Sequence, residues 1–342
     1  MSQDTLSDVL RCVRLRGAVF YYLNYGQEWA AEAPPSREVA AAVMPGAEHV
    51  MEYHVITKGA GWAAILGQPP VRLATGDVVI FPKGDPHVMS SAPGIRPTRR
   101  DSEWVIATRN EPKPIVFHST EETSLKHAEN GVLTNVVCGF LGCDLRPFNP
   151  LIAALPRLLH VPAGEGGDWL TPVLQQAVIA SQNKRPGSEA LLERLSETMF
   201  VDAVRRYIDT LPDQSGGWLG GLRDRYVGRA LALLHAEPSR DWTIEALAGA
   251  VALSRSALYE RFVQLIGQPP MHYLTHWRMQ LAAKLLRESR APVASIALEV
   301  GYDSEAAFSR AFKRVAGKPP AAWRRACESQ PAEPVAAMHA SG

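Results

Sequence analysis

LAGAVALSRSALYERFVQLIGQPP (247–270) and IALEVGYDSEAAFSRAFKRVAGKPP (296–320) are two versions of one segment. Ser254 matches Ser304, Leu258 matches Phe308, and Phe262 matches Phe312; Gly267-x-Pro269-Pro270 matches Gly317-x-Pro319-Pro320. The offset is 49 residues before the internal turn and 50 after it, so the second copy carries one extra turn residue. Each copy reads as helix, turn, helix. Thr243 precedes the first helix, and Ser254 and Ser304 cap the second helix of each copy, because their hydroxyls accept a first-turn amide. Gly301 supplies the turn in the second copy, and Ala252–Leu253 form it in the first. Leu258 and Phe262 lie four apart on one face and are expected to bury against Leu247 and Val251; Phe308 and Phe312 are the buried pair of the second copy. The opposite face carries Arg255, Ser256, Tyr259 and Glu260 in the first unit. In the second it carries Glu305, Ala306, Ser309, Arg310 and Lys313.

Between the copies lies PMHYLTHWRMQLAAKLLRES (270–289), a helical stretch of about 30 Å at 1.5 Å per residue. Adjacent major-groove faces on one side of B-DNA are about 34 Å apart. A stiff helix of that length places two reading helices in successive grooves, so one chain does the work of a dimer. Charge supports a polyanionic partner. Residues 223–325 hold 16 Lys/Arg and 9 Asp/Glu, a net +7, while the whole chain is only +1. The rest is therefore acidic. A plain helical bundle with a duplicated hairpin accounts for the repeat, but not for this charge or for the matched caps.

Upstream the pattern changes. VFYYL (19–23), MEYHVI (51–56), GWAAIL (61–66), VRLA (71–74), DVVIF (77–81), EWVIAT (103–108) and LTNVVCGFL (133–141) read as short strands with Gly- and Pro-rich turns between them, the spacing of a sandwich or barrel. NPLIAALPRLLH (149–160), LTPVLQQAVIAS (170–181) and SEALLERLSETMFVDAVRRYID (188–209) are apolar at helical spacing. The broad stripe of the last one packs either on the sheet or on a second copy of the chain. LPDQSGGWLGGL (211–222) has the composition of an interdomain linker, and the residues beyond Pro331 that of a disordered tail. The start, MSQDTLSDVL, lacks a basic region followed by an apolar run, and no stretch approaches the roughly 18 apolar residues of a spanning helix. Four cysteines in 342 residues do not form a disulfide framework. A cytoplasmic protein with no membrane partner is expected.

Residues 223–325 resemble the AraC/XylS family of bacterial regulators. The likeness runs from Tyr226–Ala236 to AAWRR (321–325) and is most specific over IALEVGYDSEAAFSRAFKRVAGKPPAAWR (296–324). It implies helix-turn-helix motifs near 243–264 and 291–314, with double-stranded DNA and RNA polymerase as partners. Position 260 often carries a cation in relatives and is Glu here, which leaves the base preference of the first unit open. GDVVIFPKGDPH (76–87) fits G-x5-P-x-G-x2-H and resembles the second motif of cupins. Of the first cupin motif, Glu52 and Gly59 keep the E-x6-G spacing, but the preceding H-x-H is absent. DVLRCVRLRGAVFYY (8–22) and VVCGFLGCDLRPFNPLIAALPRLLHV (136–161) extend the likeness to the cupin-type sensor branch of that family.

The implied class is α+β: an N-terminal cupin-like β-barrel with C-terminal helices, followed by an all-α domain with two helix-turn-helix units. Its parts are a sensor and dimerisation domain (1–210), a linker (211–222), a DNA-binding domain (223–327) and a tail (328–342). His87, Glu52, His49 and His54 are candidate ligands for a divalent metal, which needs about three N/O donors; otherwise the site is vestigial and hydrogen bonds satisfy His87. Cys138 and Cys143 flank GFLG, and Cys12 lies near the start. A reversal at GFLG would bring two thiols toward disulfide range, and some relatives respond to oxidants; buried, inert cysteine is the other reading. The implied function is a sequence-specific, non-enzymatic transcription regulator, an activator, controlled by a small molecule or an oxidant and with a homodimer as one option. The competing reading is a cupin metalloenzyme with an accessory DNA-binding module, against which the missing H-x-H counts.

Overall fold

The computed structural model describes residues 4–328 except 27, 96, 98–100, 109, 112, 119–133, 165–168, 184 and 213–214. Packing divides the chain into two units. One holds Arg14–Asp144 and Leu155–Leu211; the other holds Met1–Val13, Leu145–Ala154 and Pro212–Gly342. This interleaving differs from an unbroken first domain ending at 210. The tail expected over 328–342 lies, beyond Glu328, outside the described residues.

Helix α1 (Thr5–Cys12) is capped by Asp4, whose carboxylate accepts the Ser7 amide at 3.2 Å, and belongs to the second unit. There follow β1 (Arg16–Tyr25), β2 (Ala30–Ala33), α2 (Ser36–Val43), β3 (His49–Lys58), β4 (Ala60–Ile65), β5 (Val71–Ala74), β6 (Val78–Phe81) and β7 (His87–Ser90). Then come α3 (Asp101–Ala107), β8 (Ile115–His118), β9 (Thr134–Cys143), α4 (Pro150–Ala154), β10 (Leu159–Val161), α5 (Leu170–Gln182) and α6 (Ser188–Thr210).

Among the described residues the strands form a six-stranded sheet, ordered β10-β6-β3-β9-β1-β8, and a four-stranded sheet, ordered β2-β7-β4-β5. The two share no strand, so the described residues close no barrel, and the barrel expected from the cupin likeness is corrected to two open sheets. The chain passes from one sheet to the other between β3 and β4, where Gly59 takes φ 82°, a left-handed conformation that costs glycine little. Tyr21, Ile56, Phe81 and Phe140 from the larger sheet and Ala63, Ile65, Leu73 and Met89 from the smaller one form a shared core. The apolar stripe of α6 packs on β1: a side chain at Gly17 would strike Ser196 and the Glu193 carbonyl, and Tyr53 meets Ser196 at 2.7 Å.

Three local expectations change. EWVIA is part of helix α3 rather than a strand, with Val105 buried on it and Thr108, buried too, just past its end. The helical reading of 149–160 holds only for Pro150–Ala154. Pro156 disfavours helical geometry at Leu155, and Leu159–Val161 pairs with β6. Gly139 and Gly142 make no reversal. β9 runs through them as one strand, and Gly139 is small because the Ala18 carbonyl and the Tyr53 ring press on it.

The second unit continues with α7 (Gly217–Arg223), α8 (Arg225–Ala236), α9 (Ile244–Ala250), α10 (Arg255–Ile266), α11 (Pro270–Glu288), α12 (Val293–Glu299), α13 (Glu305–Ala316) and α14 (Pro320–Glu328). The second half of the expected linker is thus helix α7. Trp218 and Leu219 are buried, Trp218 Nε1 donates to the Tyr273 hydroxyl at 2.9 Å, and the bare Gly221 admits Ile266 of α10. Gly221 thus serves close packing.

The two turns of the repeat differ in one instructive residue. Gly301 has φ 86°, and its counterpart Ala252 is a non-glycine residue at positive φ, 58°. That conformation costs an L-residue about 1–2 kcal/mol, partly offset by the extra freedom glycine has when unfolded. Ala252→Gly is therefore expected to stabilise the protein slightly, by about 0.5 kcal/mol, and the β-branched Ala252→Val to destabilise it by about 1–2 kcal/mol. Thermal unfolding reads both; a valine variant as stable as the parent would contradict this strain.

Candidate functional site

Both helix-turn-helix units form where the repeat placed them, as α9–α10 and α12–α13. Thr243 Oγ accepts the Ala246 amide at 3.1 Å, Ser254 Oγ that of Ala257 at 3.2 Å and Ser304 Oγ that of Ala307 at 3.4 Å. Each cap satisfies an amide that the helix leaves free. Gly267 and Gly317, at φ 79° and 76°, end the second helix of each unit. Leu247, Val251, Leu258 and Phe262 are buried, and Phe262 meets Tyr273 of α11 edge-on at 5.9 Å. Phe308 and Phe312 join Met279, Ala282, Ala283 and Leu286 in one cluster. Each unit is thus seated on its own part of α11, a helix of 19 residues that spans about 28 Å.

The faces left outward are those the repeat assigned. Arg255, Ser256, Tyr259 and Glu260 are exposed on α10; Glu305, Ala306, Arg310 and Lys313 are exposed on α13, with Ser309 half-buried. Arg255 pairs with Glu245 at 3.0 Å, both well exposed; such a pair is worth little and exchanges partners easily. By the offset of 50, Glu260 and Arg310 hold equivalent positions with opposite charge.

In the first unit a second constellation lies between the sheets. Residues two apart on a strand share a face, so β3 presents Glu52 and His54 together, and β7 brings His87 from the other sheet. Glu52, His54 and His87 are all buried, and their candidate ligand atoms lie within 4.8 Å of one another. His54 Nε2 is 2.7 Å from His87 Nε2 and 3.8 Å from Glu52 Oε1. His87 Nδ1 is 2.9 Å from the Asp85 carbonyl. A carbonyl only accepts, so Nδ1 carries the hydrogen and His87 Nε2 is a bare lone pair. His54 Nε2 must then be N–H, and its Nδ1 accepts from the Cys138 thiol at 2.8 Å. Burial pushes the His87 pKa down to about 4, and burial followed by His87 lowers that of His54 well below its usual value. A cavity of about 40 Å³, walled by Tyr21, Leu23, Met89 and Val105, opens onto this cluster.

Two candidate groups are corrected. His49 is on the same strand but outside the cluster: its Nε2 lies 2.6 Å from the Pro82 carbonyl. Three residues from Glu52 it falls on the opposite face. Cys138 and Cys143 cannot pair, since five residues of one straight strand separate them by about 16 Å and place them on opposite faces. Burial pushes the Cys12 thiol up to about 11 and the Cys143 thiol up to about 12, the reverse of an activated thiolate. The contact of Cys138 with His54 was invisible in the sequence because the two residues are 84 positions apart; only the β3–β9 register reveals it.

A family model described as Cupin matches residues 4–209, and one described as Helix-turn-helix domain matches residues 247–326. A putative AraC-like transcription regulator of Streptomyces lividans is 33% identical over 94% of this chain and 98% of its own. A second, from Streptomyces antibioticus, is 32% identical over 94% and 98%. The HTH-type transcriptional regulator AlkR of Acinetobacter baylyi is 28% identical over 94% and 99%. With both family models matched and relatives aligned along almost the whole length, the chain belongs to the AraC-like transcription regulators, with a cupin domain ahead of its helix-turn-helix DNA-binding domain.

Proposed function

We propose that this protein is a sequence-specific, non-enzymatic regulator in which α10 and α13 read base edges in successive major grooves of double-stranded DNA. The observation that carries this reading is the duplication: two capped units with matching outward positions on one continuous helix, in a region of net charge +7. The regulator names of the relatives support a non-enzymatic role. Helix α10 offers Arg255, Ser256, Tyr259 and Glu260; α13 offers Glu305, Ala306, Ser309, Arg310 and Lys313. Glu accepts from the cytosine amino group and Arg donates to guanine O6 and N7. Glu260 opposite Arg310 therefore gives the two half-sites different preferences. Arg310→Ala is expected to weaken binding by about 1–3 kcal/mol and to relax selectivity at one position. A gel-shift titration at fixed salt checks this, and unaltered affinity and selectivity would remove Arg310 from the reading face.

The cupin unit is proposed as the sensor. The cluster fits a divalent cation: two imidazoles and a carboxylate form a donor set suited to zinc, iron or nickel. For bonds of about 2.0 Å the two imidazole nitrogens must part to about 3.3 Å, a movement of roughly half an ångström from their mutual hydrogen bond. Glu52, His54 and His87 would hold the ion, which supplies a Lewis-acidic centre, and Cys138 would orient His54. Metal analysis after equilibration with zinc is expected to find one ion per chain, lost in His87→Ala and held about 10-fold more weakly in Cys138→Ser. Equal zinc content in the parent and His87→Ala would leave the cluster a hydrogen-bonded relay only.

A second copy of the chain and RNA polymerase complete the proposed partners. Val173, Ile179 and Leu191, 40–48% exposed on α5 and α6, support the first. Among the described residues no helix is long and apolar enough to cross a membrane.

A further inference from the structure

The second unit contains a cavity of about 420 Å³ at the end of α13, where Arg314 borders the outward face of that helix, within the roughly 300–1,000 Å³ typical of small-molecule sites. Pro147 and Phe148, from the segment between β9 and α4, form one wall. His272 and His276 of α11 form another, and Arg314 and Val315 of α13 close it. The apolar wall is held in place. The Phe148 amide donates to Gln280 Oε1 at 3.0 Å, and its ring stands edge-on to Tyr273 at 5.4 Å and 5.3 Å from the His276 ring. Gln280, buried on α11, in turn donates Nε2 to the Cys12 carbonyl at 3.3 Å.

The polar lining is one-sided. It contains a guanidinium and two imidazoles, and no carboxylate. Among the described residues Arg314 has neither a hydrogen-bond nor an ion-pair partner, and His276 Nδ1 is buried without one. Thr275 adds nothing, because its hydroxyl is spent on the Met271 carbonyl at 2.9 Å. Burial, then His272 and Arg314, lower the His276 pKa, and the permanent charge of the site is the Arg314 guanidinium. One positive charge beside an aromatic wall is complementary to one negative charge on an apolar body. Guanidinium matches carboxylate in geometry as well as in charge.

We infer that this cavity binds a small organic monocarboxylate, with Arg314 taking the carboxylate, His276 Nδ1 adding a hydrogen bond, and Pro147, Phe148 and Val315 covering the hydrocarbon. Arg314 and Val315 directly follow Lys313, so an occupant ties the Pro147–Phe148 segment to the second reading helix. Occupancy and DNA binding are then linked reciprocally.

The test is calorimetric titration of the full chain, without DNA, with hexanoate, benzoate and 3-phenylpropionate and with their uncharged amides. At least one acid is expected to saturate a single site, its amide to bind at least about tenfold more weakly, and Arg314→Gln to lose at least about tenfold in affinity for the acid. Arg314 is exposed and unpartnered, so the variant should melt as the parent does. The inference is overturned if no acid saturates up to about 10 mM, or if Arg314→Gln binds the acid as the parent does. It is also overturned if no acid binds and Arg314→Gln instead weakens DNA binding, with the salt slope falling by about one, which makes Arg314 a phosphate contact. Because the titration contains no DNA, its failure leaves the DNA-reading proposal standing.

Discussion

Phe312→Ala is expected to destabilise the DNA-binding unit by about 3–5 kcal/mol, the cost of emptying a fully buried aromatic position. Phe312 is completely buried, stands edge-on to Trp323 at 5.8 Å and lies 5.7 Å from Phe308. Its neighbours come from α11, α12 and α14, so no single side chain can collapse into the space. Whole domains are stable by only about 5–15 kcal/mol, so this loss is enough to unseat α13 from α11. Urea unfolding of the full chain measures it. DNA affinity should fall with stability although Phe312 is on the buried face of α13. A loss below about 1 kcal/mol would mean that the second unit is not held by this cluster.

Inserting five base pairs between the two bound half-sites is expected to reduce affinity by about 100-fold or more. B-DNA repeats every 10–10.5 base pairs, so five turn the second site to the opposite side of the duplex. Helix α11 is continuous over 19 residues and packed on both units, and cannot follow. The second contact is lost, and with it the roughly 10²–10⁴ of avidity that linked modules gain. An insertion of one full turn should not rescue binding, since α11 spans one groove interval and no more. The measurement is a gel-shift series at constant ionic strength, because salt alone moves such affinities by orders of magnitude. Unchanged affinity across the series would show that the units read DNA independently.

Much of the site was legible beforehand on the C-terminal side. Ser254, Ser304 and the glycines at 267 and 317 act through bonds within one turn of their own helix. The pairs Leu258–Phe262 and Phe308–Phe312 share a face by helical geometry alone. The misreadings there concerned glycine: in LPDQSGGWLGGL it permits Ile266 to approach Gly221 rather than loosening the chain. On the N-terminal side the cupin motif pointed to His87 and Glu52 and strand alternation to His54, and the structure brings these three together. It could not exclude His49 or show Cys138 against His54, and the Gly139 and Gly142 positions suggested a reversal that β9 does not make.

The chain by itself determined two helix-turn-helix units, their caps, their outward residues and the basic charge around them, because α-helical structure is written in contacts three and four residues apart. Only the tertiary structure decided that the strands form two open sheets, that His54 meets both His87 and Cys138, and that residues before 14 and at 145–154 pack with the C-terminal unit. Strand register and interleaved packing join residues 33 to 268 positions apart. No local period encodes which of many distant partners wins; that is settled by burial of the whole core at once.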